Sequence, residues 1–316
     1  MSLQKEKVNN PIFLDSIEAS HAIIDEDIDG MLKKINRLDI SIQMKRTEPF
    51  YDIEEARQAY RSFLTTQVEN FDSLEISYMT EVFSEVNARL TELNPDLILP
   101  QIKLVKIKLD HYGPDVYYTR GKVIFLPKNS LKGRSTKGQI NIMLHEVWHI
   151  ISRYYPSLKD EAYKLIGFNK FNHEIKYDSL LSERLLINPD GVNIDHCIDL
   201  GNGITALPVV RSSRNQYDPT NSDFFNYIYF DLYAVDASGN VLTNNNGGST
   251  IPAEQNVVFF EKIKDNTQYI IHPDEIIADN FMLSVNAYYT HNFDQFSKQG
   301  LKLVQDLIQI LKKHKR

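Results

Sequence analysis

Apolar side chains recur at helical spacing through residues 52–94. Ile53, Ala56, Tyr60 and Phe63 make one stripe, and Ile76, Met79, Val82, Val86 and Leu90 make a second. The Asn94-Pro95 pair ends that stretch. Between 102 and 126 the pattern shortens to β-prone runs. Leu104, Val105, Ile107 and Leu109 form the first, a turn follows at HYGPD, and Val116 to Thr119 and Val123 to Leu126 flank Arg120-Gly121. Residues 137–155, KGQINIMLHEVWHIISRYY, carry a continuous apolar face and predict the best helix of the chain, stopped by Pro156. Residues 158–186 predict helix with a break near 167–173. The stretch 187–265 is rich in Asn, Gly, Asp and Ser, with runs such as YIYFDLYAV before the turn DASGN, and predicts an irregular, partly β insertion. Helix returns over 273–315, where Leu301, Val304, Leu307, Ile308 and Leu311 mark the last amphipathic face.

These elements predict an α+β protein: a small N-terminal mixed sheet, one central helix and a mostly helical C-terminal lobe. Residues 1–48 read as an N-terminal arm or capping segment. Residues 49–156 read as an N-terminal lobe and 157–316 as a C-terminal lobe. Composition narrows the function classes. Lysine plus arginine total 35 against 42 aspartates plus glutamates, a net charge of −7. That balance argues against nucleic-acid binding, which needs a basic footprint. The terminal LKKHKR reads as dipole-compatible cations at a helix end. The single cysteine, Cys197, excludes an intrachain disulfide and any cysteine-rich zinc module. No apolar run approaches the roughly 20 residues of a membrane span. The opening MSLQKEKVNN lacks the apolar stretch of a secretory signal. A cytoplasmic protein is the expectation, with an exported form left open.

The chemistry centres on His145-Glu146-Val147-Trp148-His149. On a helix, positions i and i+4 share one face, so two imidazoles can hold one zinc ion while the intervening glutamate serves as base. A chance HExxH in a chain with nine histidines has odds of about one in a hundred, which favours function over coincidence. A catalytic zinc needs a third protein ligand. No histidine follows at the right spacing, so a carboxylate is expected. Two Glu-x-x-x-Asp pairs offer one: Glu174 with Asp178, and Glu275 with Asp279. The second is preferred. Pro273, Asp274 and Glu275 suit a helix start, and Ile276, Ile277, Ala278, Phe281 and Met282 can pack that helix on the HExxH helix. Asp279 then orients a ligand imidazole through its other nitrogen.

HExxH followed by Glu-x-x-x-Asp resembles the gluzincins, the thermolysin-like clan of metallopeptidases. The segment HPDEIIADNF at 272–281 is similar to an HPEEILADNF third-ligand segment of bacterial members. The resemblance is specific over 137–155 and 272–282 and loose elsewhere. It implies a zincin fold and one zinc held by His145, His149 and Glu275. It also implies Glu146 as the base, Asp279 behind a ligand, and a peptide or protein substrate. A strand before the HExxH helix forms the cleft edge in this clan, and 122–126 matches it in position. The interval between the ligand helices is much longer than in thermolysin. The clan's late histidine and tyrosine have no clear match; His291, Tyr288 and Tyr289 are the nearest in sequence.

Other signals carry less. Glu146-x-x-His149 is half of a di-iron motif, with no second half. Gly201-x-Gly203-x-x-Ala206 precedes a β-prone run rather than the helix a dinucleotide needs. The aromatics at 224–233 read as a strand pair of core or cleft wall, and His196 and His272 as turn residues. The competing classes are a catalytically silent zinc protein on a zincin scaffold and a narrow-specificity, effector-like protease. Oligomeric state stays open.

Overall fold

A computed structural model describes residues 10–108, 111–131, 135–252 and 254–314. Leu109, most of MSLQKEKVNN and the last two residues of LKKHKR lie outside them.

The N-terminal third runs β1 (Ile12–Phe13), α1 (Ser16–Ile23), α2 (Met31–Lys34), α3 (Arg37–Gln43), α4 (Ile53–Thr65), β2 (Val68–Glu69) and α5 (Ser73–Leu93). The expected helical stretch 52–94 is therefore two helices. Asp72 interrupts it because its carboxylate accepts from the Leu74 and Glu75 amides and starts a new helix. Then come β3 (Lys103–Ile107), β4 (Tyr118–Arg120) and β5 (Val123–Pro127). Strands β1 and β5 pair in parallel with opposite edges of β3, β2 pairs antiparallel with β3, and β4 pairs antiparallel with β5. The order β1-β3-β5-β4 leaves β4 at the edge. The strand at 122–126, expected as an edge, is thus interior, and the sheet edge on that side is β4, one strand earlier.

Every residue of β5 is buried, because both faces of the sheet are covered. Leu104, Ile124 and Leu126 face one core with the long helices; Val105, Ile107, Val123 and Phe125 face the other, with Leu14, Ile23, Leu32, Ile40, Tyr60 and Leu64. The N-terminal arm is therefore one of the two layers on the sheet.

Helix α6 (Thr136–Tyr154) starts at Ser135, whose side chain accepts from the Gly138 amide. Pro156 ends it and opens α7 (Pro156–Leu165) as its first residue. Then β6 (Phe168–Lys170), α8 (Ser179–Ser182), β7 (His196–Asp199), β8 (Thr205–Ser212) and β9 (Ile228–Ala234) follow. Strands β6 to β9 make an antiparallel four-stranded sheet in sequence order, so the expected insertion is mostly an ordered meander. Residues 174–178, expected as helix, are not helical. Phe224–Tyr227 is a single 3-10 turn before β9 rather than a strand. Gly201 and Gly203 have positive φ in the β7–β8 turn, which is a hairpin and not a phosphate loop.

Helices α9 (Gln255–Ile263), α10 (Pro273–Thr290) and α11 (Lys298–Lys313) complete the chain. Helix α10 is buried along Ile276, Ile277, Ala278, Phe281 and Val285, and packs on α6, α5 and α11. The result is an α+β architecture in which α6 and α10 lie together under the first sheet. No helix among the described residues is long and apolar enough to cross a membrane.

Candidate metal centre

Helix α6 presents His145, Glu146 and His149 toward the first turn of α10 and the edge strand β4. His145 Nε2 lies 3.1 Å and His149 Nε2 3.4 Å from one oxygen, Oε2 of Glu275. A tetrahedral zinc with ligand bonds of about 2.0–2.2 Å holds neighbouring donors about 3.3–3.6 Å apart; the His149 separation falls in that range and the His145 separation is slightly shorter.

The far sides of the rings decide which atoms are free to coordinate. His145 Nδ1 meets Asp279 Oδ1 at 2.8 Å, and His149 Nδ1 meets Asp274 Oδ2 at 2.8 Å. A carboxylate accepts only, so each Nδ1 carries a hydrogen, and Nε2 is the atom of each ring that faces Glu275. His149 is fully buried, yet its Nε2 has no hydrogen-bond partner. A buried, unpartnered ring nitrogen beside a carboxylate oxygen is what a cation would satisfy, taking the place of a proton there, and the residues fit a zinc ion.

Asp274 anchors this arrangement. Besides His149, its carboxylate accepts from Trp148 Nε1 (2.9 Å), the Tyr163 hydroxyl (2.8 Å) and Ser152 Oγ (3.0 Å). Its own amide donates to His272 Nδ1 at 3.0 Å, so the His272 ring caps α10. Thr267 Oγ1 donates to Asp279 Oδ2. Asn188 Nδ2 donates to Glu275 Oε1 at 2.6 Å, leaving Oε2 for the centre. Thr119 Oγ1 donates to Glu146 Oε2 at 2.6 Å. The Thr119 amide donates to Asp190 Oδ1 at 2.6 Å.

The electrostatics follow from burying imidazoles among acids. Burial alone lowers both histidines, but the hydrogen bonds that His145 donates to Asp279 and Glu275 outweigh it and push His145 up to about 10. Burial is likewise overcome at His149 by the charges of Asp190 and Glu275 and the hydrogen bond to Asp274, which hold it well above its ordinary value. Burial would raise Glu275, but the His149 charge and the hydrogen bond from His145 keep it well below the usual carboxylate range. Asp190 is pushed well up by burial and by Glu146 and Glu275, against the pull of His149. Burial lowers His272 to about 4, so it stays neutral in its capping role. Tyr269 stacks on His145 with centroids 6.0 Å apart. Burial, then Glu275, Asp190, Glu146 and Asp279, hold its phenol protonated.

His145, Glu146, His149, Glu275 and Asp279 therefore come together from two helices far apart in sequence. The pair Glu174 and Asp178 does not join them. Glu174 is exposed, and Asp178 caps α8 by accepting from the Leu181 amide. Their segment is irregular rather than helical, so the two acids do not stand one helical turn apart. His291, Tyr288 and Tyr289 sit at the far end of α10, beside Lys312 and Arg89. His196 is buried between Asp195 and Asp160, and His272 is buried as a cap; neither is an exposed turn residue. Cys197 is buried and unpaired.

No protein-family model, no curated protein and no solved structure matches this chain.

Sequence reasoning missed Asp190, Asn188, Thr119 and Tyr269, and read Asp274 only as a helix-start acid. Asp274 had a usable signal: it adjoins Glu275 at the start of the same helix. Asn188 and Asp190 lie in an Asn-Pro-Asp-Gly turn, whose proximity to α6 no periodicity reveals.

Proposed function

We propose that this protein is a zinc-dependent peptide hydrolase on a zincin-like scaffold, with His145, His149 and Glu275 as metal ligands and Glu146 as general base. The observation that carries the reading is the convergence of two Nε2 atoms on one oxygen of Glu275, each ring fixed from behind by its own carboxylate. The resemblance of HExxH and HPDEIIADNF to gluzincin segments adds to it. When bound, zinc supplies Lewis acidity for the scissile carbonyl and acidifies a water molecule.

The chain's own residues do the rest. Glu146 accepts the proton of the attacking water and delivers it to the leaving amine. Thr119 fixes one oxygen of that carboxylate and leaves the other toward the centre. Asp274 and Asp279 hold the imidazoles in the tautomer that offers Nε2. Tyr269 brings a protonated phenol against His145, where it can donate to a carbonyl oxygen gaining charge.

Glu146→Gln preserves the shape of the site and removes the base. Its expected behaviour is full zinc content with peptide hydrolysis reduced about 10²- to 10⁴-fold. Elemental analysis and cleavage of a peptide library by wild type and variant check this. Zinc without cleavage of any peptide by the wild type would leave a zinc-binding protein without hydrolase activity. Cleavage of a single protein target, with generic peptides untouched, would make it a narrow-specificity protease.

A further inference from the structure

Asn188, Asp190 and Gly191 lie on a 3-10 turn (Pro189–Gly191) that crosses the centre and has no part in the proposed reaction. Asp190 reaches farthest inward. Its Oδ1 is 3.9 Å from His149 Nε2, the buried nitrogen with no hydrogen-bond partner. Donor atoms of Glu146, His149 and Asp190 all lie within 4.8 Å of one another, and the group shares His149 with the His145–His149–Glu275 set. The two groups meet at His149, so Asp190 is a carboxylate that adjoins the three-residue set from the side of Glu146. Charge supports this. Glu146, Asp190 and Glu275 are nearly inaccessible to solvent, and several buried carboxylates together demand a cation.

The same carboxylate acts on the sheet. Strand β4 pairs with β5 on one side only, and the Thr119 amide turns away from β5 to Asp190. A peptide that extends the sheet as an added strand would need that edge. Asp190 occupies it.

We propose that Asp190 is a fourth protein ligand to the metal and that the 188–191 turn is a built-in plug, closing the coordination position and the β4 edge together. This rests on the metal-centre reading above. A catalytic zinc keeps one position open for water or substrate, so the plug must withdraw before a substrate is cleaved. Side-chain contacts keep it in place. Asn188 holds Glu275, the Ile187 amide donates to Asp39 Oδ2 at 2.9 Å, and Arg153 donates to the Asp190 carbonyl at 2.8 Å. Gly191 lies so close to His272 that an added Cβ would meet the ring at 2.7 Å.

The test uses the full chain, stripped of metal and refilled with zinc or cobalt(II), as wild type, Asp190→Asn and Asn188→Ala. Asp190→Asn keeps an oxygen for the Thr119 amide but loses the charged donor. The expected results are zinc affinity weakened about tenfold or more in Asp190→Asn and a changed cobalt absorption spectrum. Asn188→Ala keeps Asp190 but frees the turn. Acetohydroxamate, a small carbonyl-like chelator, should then perturb the cobalt spectrum at about tenfold lower concentration than in wild type, as expected when a competing protein donor is released. Thermal unfolding of each variant shows that it is folded. If Asp190→Asn does not fold, the acetohydroxamate comparison decides alone. Wild-type zinc affinity and cobalt spectrum in Asp190→Asn, or acetohydroxamate binding wild type as tightly as Asn188→Ala, overturns the plug and leaves the three-ligand centre standing. A wild-type chain that takes up no zinc overturns the centre and the plug together.

Discussion

Asp274 is the residue on which the centre turns, although it touches no substrate and donates nothing to a metal. Its carboxylate gathers His149, Trp148, Tyr163 and Ser152, so it fixes the ring of one ligand and ties α6 and α7 to α10. Burial would raise its pKa, but the bond to His149 and the charge there hold it below the ordinary value, so it stays ionised. Asp274→Asn can place an amide N–H where His149 Nδ1 donates and so favours the wrong tautomer. The expected loss is about 10- to 100-fold in zinc affinity, measured by competition with a chromophoric chelator, with Asp279→Asn acting in the same direction through His145. Asp39 is the other buried acid with a separate consequence. Burial raises it to about 6 from 3.8, despite hydrogen bonds from Gln43 and the Ile187 amide. The folded chain therefore keeps a proton that the unfolded chain releases near pH 4. Its contribution to stability is complete below that, falls as pH rises toward 6 and is flat above. The span of the shift corresponds to about 3 kcal/mol. Denaturant unfolding from pH 4 to pH 7 should show wild type losing about that much relative to Asp39→Asn; a constant difference would mean Asp39 titrates normally.

At the scale of elements, the centre is a contact between α6 and α10. Small Ala278 lets the helices approach, and Trp148 on α6 lies against Phe281 on α10 with ring centroids 5.4 Å apart. Phe281 lies two residues beyond Asp279, so its packing sets the register that carries both carboxylates to the rings. Phe281→Ala should cost about 3–5 kcal/mol in denaturant unfolding, the usual price of emptying such a site. Zinc affinity should fall with it, because the cavity loosens the ligand helices. Retained stability with weakened zinc would mean that the register depends on the polar contacts alone. The HExxH helix and the Glu275 helix were legible as elements because each buries a face and is sharply capped, at Ser135 and at His272-Pro273. The segment at 174–178 was not. Lys176 bridges to Asn240 and the Gly239 turn folds tightly over Glu174, so contact with a distant segment, which no local pattern encodes, keeps it out of a helix.

For the whole molecule, the mixed sheet is a shared floor between two cores. Helices α1 to α4 cover one face, with Leu14, Ile23, Leu32, Ile40 and Tyr60 buried against Val105 and Phe125. Arg120, buried at 1% exposure, ties that layer to the edge strand by a double contact with Asp29 and by donating to the Ile23 and Asp25 carbonyls. A chain beginning at residue 49 would expose this face and strand the Arg120 charge. It should be recovered as aggregate or lack a cooperative unfolding transition, as judged by solubility and circular dichroism. A soluble, cooperatively folded fragment would make the N-terminal layer a dispensable cap.

The sequence by itself determined what is local or periodic. That includes the HExxH face, the helices that carry it and Glu275, the strands near 104–107 and 123–126, the prolines that end α6 and open α10, and the preference for Glu275 over Glu174 from the chemistry of a helix start. Those features follow from spacing along one chain segment, which the sequence states directly. Tertiary structure decided what is brought together across distance. It made β4 and not β5 the edge, set Asp274 behind His149, placed Tyr269 on His145 and carried Asp190 to the centre. Each of these depends on how separate elements pack, and no pattern within a single element encodes that.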